Sequence, residues 1–311
     1  MPNLRQLLRQ TVYQTEKLAQ RVKFASTPPP TAGWPILLGI SFPKSGTHLL
    51  DQVLLGFSDV APFSRRLHSF YAQYDGNTGR KRSSAETIAW LESLHPLDVT
   101  SAHLFASPEA SQRVLTAAFV PYFIYRDPRD VAVSHVFYVT EMEKNHVHHA
   151  YYQSLPNFDA RLKTSILGIP SLTPGPSPIG GRVISPLPPG DGVGVMANVE
   201  FPDIAARFAP YLGWLGQPQV LEIHFEDFIH DRPGTLDRII KHFLARAPLA
   251  IDPITISQSL ETAINPQKSP TFRSGKTGEW KKYFKDEHKT IFKDVAGDLL
   301  IRLGYEKDNN W

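Results

Sequence analysis

The stretch that decides the fold runs from Gly39 to Leu54 and reads GISFPKSGTHLLDQVL. It gathers a lysine, a serine and a threonine around Gly46. The commonest phosphate-binding loop, G-x-x-x-x-G-K-[ST], places its lysine after the second glycine; here Lys44 comes before Gly46. Residues 36–42, ILLGISF, read as a short buried strand, and residues 47–57, THLLDQVLLGF, as a helix. A helix that begins near Thr47 turns its free N–H groups and positive dipole end toward the loop, which makes an anion site. Gly46 lets the backbone come close to an oxyanion. Ser45 and Thr47 add hydroxyl donors, and Lys44 adds a full charge.

Outward from this loop, strands and helices alternate. DVTSAHLF (98–105) is a second strand candidate, and AFVPYFIYR (118–126) a third. The third runs straight into DPRDVAVSHVFYVTEME, where Asp127 is placed to cap a helix with Pro128 in its first turn. QVLEIHFEDF (219–228) is a fourth strand candidate, and RPGTLDRIIKHFLA (232–245) the helix after it. This alternation predicts an α/β fold: a single domain, residues 35–311, with a central parallel β-sheet flanked by helices.

The chain has 311 residues, 41% of them hydrophobic, with a net charge of +3. That is enough for one large α/β domain. The mild basicity suits an anionic ligand, and no basic run marks a nucleic-acid-binding tail, so no nucleic-acid partner is expected. There is no cysteine, which excludes disulfides, thiolate catalysis and cysteine-based zinc sites. No apolar run approaches the roughly 20 residues that span a bilayer, so no integral membrane span is expected. Residues 1–34 read as an amphipathic helix, with Leu4, Leu7, Leu8, Val12 and Leu18 near helical spacing, and a Pro-rich linker, STPPPTAGWP. Polar residues interrupt every apolar cluster of the helix, so it does not read as a secretion signal, and the expected location is cytoplasmic. The favoured reading is a helix packed on the domain, the other being a membrane or partner contact. Residues 168–196 are dominated by proline and glycine and have lost all periodicity. They read as a surface insertion or as a lid, and the scarcity of aromatic and charged residues favours the insertion.

Three segments together resemble the cytosolic-type sulfotransferases that use 3′-phosphoadenosine 5′-phosphosulfate. FPKSGTH (42–48) is similar to that family's 5′-phosphosulfate loop. YRDPRDVAVSHVFY (125–138) is similar to its 3′-phosphate element, and FRSGKTGEWKKYF (272–284) to its C-terminal signature. They stand in the family's order, and the resemblance covers roughly residues 36–305 without the insertion. It implies a fold related to P-loop nucleotide kinases. It also implies transfer of a sulfuryl group from that donor to an acceptor, a hydroxyl of a small molecule, leaving adenosine 3′,5′-bisphosphate. Carried over residue by residue, it puts Lys44, Ser45, Gly46, Thr47 and His48 around the 5′-phosphosulfate, with Lys44 at the bridging oxygen. Arg126, Ser134, Arg273, Ser274 and Gly275 fall at the 3′-phosphate. His103, at the end of its strand, matches the family's catalytic base; a histidine titrating near 6.5 takes a proton from a hydroxyl at neutral pH. No metal is required.

Departures from the family pattern are specific. The lysine before the catalytic histidine is Ser101, the second threonine of the loop is His48, and the tryptophan after it is Leu49. The tyrosine of a later motif is Phe225, and the lysine after the signature arginine is Ser274. The losses at 49 and 225 put the adenine contacts in question, not the phosphate contacts. Arg129 reads as a helix-surface residue and Trp280 as a packing anchor. Glu143, His146, His148 and His149 tempt a metal reading, but groups at successive i+3 steps drift around a helix and converge poorly. Glu226 and Asp227 read as bracing a turn. Two other functions stay open from the residues: an ATP-dependent small-molecule kinase, for which Lys44 is in the wrong register, and a catalytically silent nucleotide-binding module. The acceptor and the oligomeric state are not legible.

Overall fold

The computed structural model describes residues 4–31, 33–71, 80, 82–169, 201–269 and 273–311. Its elements are helix α1 (Leu4–Lys23), strand β1 (Ile36–Ser41), α2 (Thr47–Gly56), β2 (Leu67–Tyr71), α3 (Ser84–Glu92), β3 (Val99–His103), α4 (Pro108–Val114), β4 (Phe119–Tyr125) and α5 (Pro128–Phe137). Then come α6 (His149–Ser154), α7 (Phe158–Leu167), α8 (Ile204–Phe208), β5 (Leu221–His224), α9 (Phe225–His230), α10 (Arg232–Leu244), α11 (Pro253–Ala263), α12 (Trp280–Tyr283) and α13 (Asp286–Arg302). Over the described residues the chain divides into two compact units. One runs from α1 to Arg126 and takes in Pro210–Thr277; the other comprises Asp127–Ala209 and Gly278–Trp311, with Arg80.

The first unit holds the sheet. Its five strands are all parallel, in the order β2-β3-β1-β4-β5. β1 and β4 are buried along their whole length, as apolar strands covered on both faces must be. Leu37 sits between Val99 and Val120 in register, and these side chains join Val53, Leu54 and Phe57 of the α2 region and Phe243 of α10 in one core. The α/β class and parallel sheet are as the sequence implies, but β2 was not foreseen. The strand expected over 219–228 is shorter than expected, because the chain turns helical at Phe225.

Strand order reverses at β1: the chain leaves it for β2 and β3 on one side and reaches β4 and β5 on the other. In open α/β sheets the ligand crevice lies at such a switch, outside the carboxyl ends of the strands. Here those ends are Ser41 of β1 and Tyr125 of β4. The Phe42 N–H donates to the Ile124 carbonyl at 3.3 Å, which stitches the start of the loop to the end of the neighbouring strand.

Helix α1 docks on this unit through polar groups. Lys17 Nζ lies 2.6 Å from Asp98 Oδ1, with both side chains buried, and Tyr13 donates its hydroxyl to the same carboxylate. Gln20 Nε2 donates to the carbonyls of Ser58 and Phe63 at 3.0 and 3.1 Å. The helix is packed on its unit, as the favoured reading has it.

In the second unit α5 packs on α7, and α13 on α7 and α8. A π-helical turn, Tyr138–Met142, follows α5 directly. The Pro/Gly-rich segment lies outside the described residues except for its first two, Gly168 and Ile169. Ile169 forms an antiparallel bridge with Phe201.

Candidate functional site

The loop after β1 is built around two left-handed residues, Lys44 (φ 69) and Gly46 (φ 93). For a lysine this backbone costs roughly 1–2 kcal/mol, a local strain of the kind stored at ligand sites. Gly46 has no alternative. A Cβ there would stand 2.6 Å from Cδ2 of Phe225, besides needing the positive φ. Gly46 is the residue before helix α2, and no side chain caps that helix start. The N–H groups of Leu49 and Leu50 bond back to the Gly46 carbonyl. Those of Thr47 and His48 belong to the first turn, which has no partner within the helix. Ser45 is fully buried, and its Oγ has no hydrogen-bond partner among the described residues. A buried hydroxyl left so is costly, and an anion in the loop relieves it.

Three cations meet here. Burial first, then repulsion from Arg126 and Arg273, pushes the Lys44 ammonium from an ordinary value of 10.5 down to about 7. This corrects the expectation of a full charge on Lys44: without a ligand it is about half protonated at neutral pH. Arg126 follows β4 directly and is buried. Its Nη2 donates to the Lys276 carbonyl at 2.7 Å, and its guanidinium lies 4.8 Å from the centre of the Phe225 ring. So Phe225 sits between Gly46 and Arg126. Its ring faces the loop glycine and the arginine, a role the sequence did not disclose.

Arg273 begins a short loop in which Gly275 takes a φ of 62. Ser274 Oγ accepts from the Lys276 N–H at 3.4 Å, so the serine that replaces the family's lysine shapes the turn. Phe272 of the same motif lies outside the described residues.

His103 is the last residue of β3. Its Nδ1 lies 2.8 Å from the Ser41 carbonyl oxygen and 3.1 Å from Ser41 Oγ. A carbonyl only accepts, so the network assigns the proton to Nδ1 and leaves a lone pair on Nε2. Ser41 Oγ is also 2.9 Å from Thr47 Oγ1, a bond in which either hydroxyl can donate. Desolvation lowers the His103 pKa to about 4; the bond to Ser41 opposes this, and His48 and Lys44 add to it. The ring is therefore neutral at pH 7, and the expected titration near 6.5 is corrected downward. His48 is itself half-exposed beside Asp51, with Nδ1 3.6 Å from Oδ2.

The first unit thus brings together Lys44, Ser45, Gly46, Thr47, His48, His103, Arg126 and Arg273. Of the other expected 3′-phosphate residues, Ser274 and Gly275 follow Arg273 in the first unit, and Ser134 lies in the second, partly exposed on α5. Asp127 caps that helix as expected, accepting from the Arg129 N–H at 2.9 Å. Arg129 is not on the surface. Its side chain is buried, pairs with Asp127 and Glu306 at 2.7 and 2.6 Å, and lies 3.9 Å from the centre of the Trp280 ring. A weakly hydrated planar guanidinium tolerates that setting. Trp280 is buried and anchors packing. Asp130 takes hydrogen bonds from the N–H groups of Gly278 and Trp280, both at 2.8 Å.

Among the described residues, no group of three or more histidine, cysteine, aspartate or glutamate side chains is arranged to hold an ion. His146 and His148 are buried beside His135, and His149 turns its Nδ1 to the Val139 carbonyl at 2.7 Å. Asp227 braces, as read, pairing with Arg238 at 2.8 Å.

The sequence missed Ser41. Its position one residue before the FPKSGTH loop was the available signal, since strand ends at a switch point face the ligand crevice.

A solved mouse sulfotransferase, SULT7A1, complexed with PAP, is similar in fold: 15% identity, 95% of each chain covered, TM-score 0.52. A retinol dehydratase in complex with androsterone and inactive cofactor PAP gives 16% identity, 92% of this chain, 85% of that chain and a TM-score of 0.50. Among curated proteins no sequence matches. The family model described as "Sulfotransferase domain" matches residues 36–304, which takes in the loop, the β3 histidine, Arg126, Ser134 and the Arg273 turn. With that match across most of its length, the chain belongs to the sulfotransferase domain family.

Proposed function

We propose that this protein transfers a sulfuryl group from 3′-phosphoadenosine 5′-phosphosulfate to a hydroxyl of a small molecule, with His103 as the base. The observation that carries this reading is the meeting of Lys44, Arg126 and Arg273 at the carboxyl ends of β1 and β4, close enough that the two arginines depress the lysine. Such a cluster calls for a multiply charged anion. The residues present fit the donor: a strained loop with a required glycine, an uncapped helix start and a buried serine hydroxyl without a partner among the described residues. PAP, the ligand of both solved relatives, supports adenosine 3′,5′-bisphosphate as the product bound here.

The donor supplies a sulfuryl group on a phosphate leaving group. Lys44 and the N–H groups of Thr47 and His48 hold the negative charge that grows on the bridging oxygen. Donors fixed in advance in this way are worth roughly 3 kcal/mol of barrier each. His103 accepts the acceptor's proton at Nε2, while Ser41 holds its Nδ1–H. Arg126 and Arg273, with Ser274 and Gly275, read the 3′-phosphate.

Two measurements test this. Labelled sulfate should pass from the donor into a panel of hydroxylated acceptors, and ATP with Mg²⁺ should transfer nothing. Adenosine 3′,5′-bisphosphate should raise the melting temperature far more than 5′-AMP. Equal stabilisation by the two nucleotides would overturn the 3′-phosphate assignment.

A further inference from the structure

Helix α1 is docked with its polar side inward. The residues that face its unit are Tyr13, Glu16, Lys17 and Gln20, and they make ion pairs, hydrogen bonds and one edge-on ring contact, Tyr13 against His68 at 4.7 Å. The side turned to solvent carries the apolar residues. Val12 is 45% exposed, Leu18 62% and Val22 69%. Leu18 and Val22 are four residues apart and Ala19 and Val22 three, so they share one stripe, and Val12 lies two turns before Ala19 on the same side. A helix that serves a core does the reverse and buries its apolar stripe.

The charge on the helix narrows what covers that stripe. Its sequence carries Arg5, Arg9, Lys17, Arg21 and Lys23 against one acid, Glu16. Lys17 is committed to Asp98, and Glu16 is paired with Arg66. What remains is cationic, with Arg21 and Lys23 exposed beside Leu18 and Val22. A second copy of the helix would bring like charges together, in either direction. A surface both apolar and anionic matches the stripe and its flank at once.

We propose that α1 binds the surface of an anionic lipid bilayer. Val12, Leu18, Ala19 and Val22 enter the boundary between headgroups and acyl chains. Arg21 and Lys23 lie at the headgroups, and the polar side stays bound to Asp98, Ser58 and Phe63. Among the described residues no helix is long and apolar enough to cross a membrane, so the contact is peripheral.

The test is flotation of the full chain with two sets of vesicles, phosphatidylcholine alone and phosphatidylcholine mixed with phosphatidylglycerol. Binding is expected to the mixed vesicles, to weaken with added salt, and to be slight on phosphatidylcholine alone. Leu18→Glu with Val22→Glu should lower the partition by about tenfold or more, with the melting temperature and bisphosphate binding unchanged. Arg21→Gln with Lys23→Gln should weaken binding to the mixed vesicles only. Three results overturn the proposal: no binding of the parent chain to mixed vesicles, equal binding by the Leu18→Glu/Val22→Glu variant, or sedimentation showing that this variant dissolves a dimer.

Discussion

The Ser41 carbonyl accepts from Nδ1 of His103 at 2.8 Å, and that contact decides which nitrogen of the imidazole is basic. It holds the ring as the tautomer whose Nε2 carries the lone pair. The same residue's hydroxyl, 2.9 Å from Thr47 Oγ1, ties the end of β1 to the first residue of α2.

His103→Ala should therefore lower turnover by roughly 10²–10⁴ and leave affinity for adenosine 3′,5′-bisphosphate nearly unchanged. The pH profile follows from a pKa lowered to about 4. The ring is already neutral at pH 7, so kcat/KM should not rise through neutrality on its account. The fall that His103 causes should lie on the acid side, as the free ring gains a proton toward pH 4. A limb centred near 6.5 that disappears in His103→Ala would contradict this environment.

Lys44 links binding to protons. Its free-state pKa is about 7, and an anion beside it favours the charged form, so binding raises that value. The sign is fixed: affinity is greatest below pH 7 and weakens as pH rises above it, by up to about tenfold per unit. Calorimetry in two buffers of different ionisation enthalpy should find proton uptake on bisphosphate binding near pH 8. Lys44→Met should abolish that uptake and weaken binding. Lys44→Arg should rescue incompletely, because a planar fork does not take the place of a compact ammonium.

Gly46 and Phe225 should fail in different ways. Gly46→Ala meets both the φ of 93 and the 2.6 Å approach to Phe225, so it should lower the melting temperature and bisphosphate affinity together. Phe225→Leu keeps an apolar side chain but removes the ring beside Arg126. Its affinity should fall by about two- to tenfold, the range of a cation–π contact, while folding stays cooperative. Titration and thermal melts of both variants separate the two effects.

The segment from 170 to 200 departs and returns at one place. Ile169 and Phe201 are bridged, with the Ile169 N–H donating to the Phe201 carbonyl at 2.7 Å. Joining these two residues by a short Gly/Ser turn should leave folding and bisphosphate binding intact. Loss of binding in a well-folded variant would make the segment a lid. Gly168→Ala should destabilise, since its φ is 84 and a Cβ would stand 2.1 Å from the Phe201 carbonyl oxygen.

Elements with a strong pattern were legible: β1 and β4 as apolar runs, α5 from Asp127 and Pro128, α10 from its helical repeat. So were the residues of the loop and the β3 histidine, because their order along the chain carries the resemblance. β2 was not, since LHSFY is short, carries His68 and Ser69 among its apolar residues, and is defined by pairing with β3. Arg129 was misread because helix position says nothing of Trp280, Trp311 and Glu306, which are distant in sequence. The depressed pKa values of Lys44 and His103 were invisible for the same reason. They come from burial and from charges that only the sheet brings near.

Asp130 takes hold of main chain in the C-terminal signature, and this bears on which residues there are free to change. Its two oxygens hold the N–H groups of Gly278 and Trp280, which nearly any residue presents and only proline lacks. A change at 280 therefore calls for no answering change at 130. Losing the carboxylate would release both ends of the clasp. Through this clasp Asp130 fixes the backbone at 278–280 and not the side chains there: Gly278 is constrained by its own φ of 68, and Trp280 by its packing against Arg129.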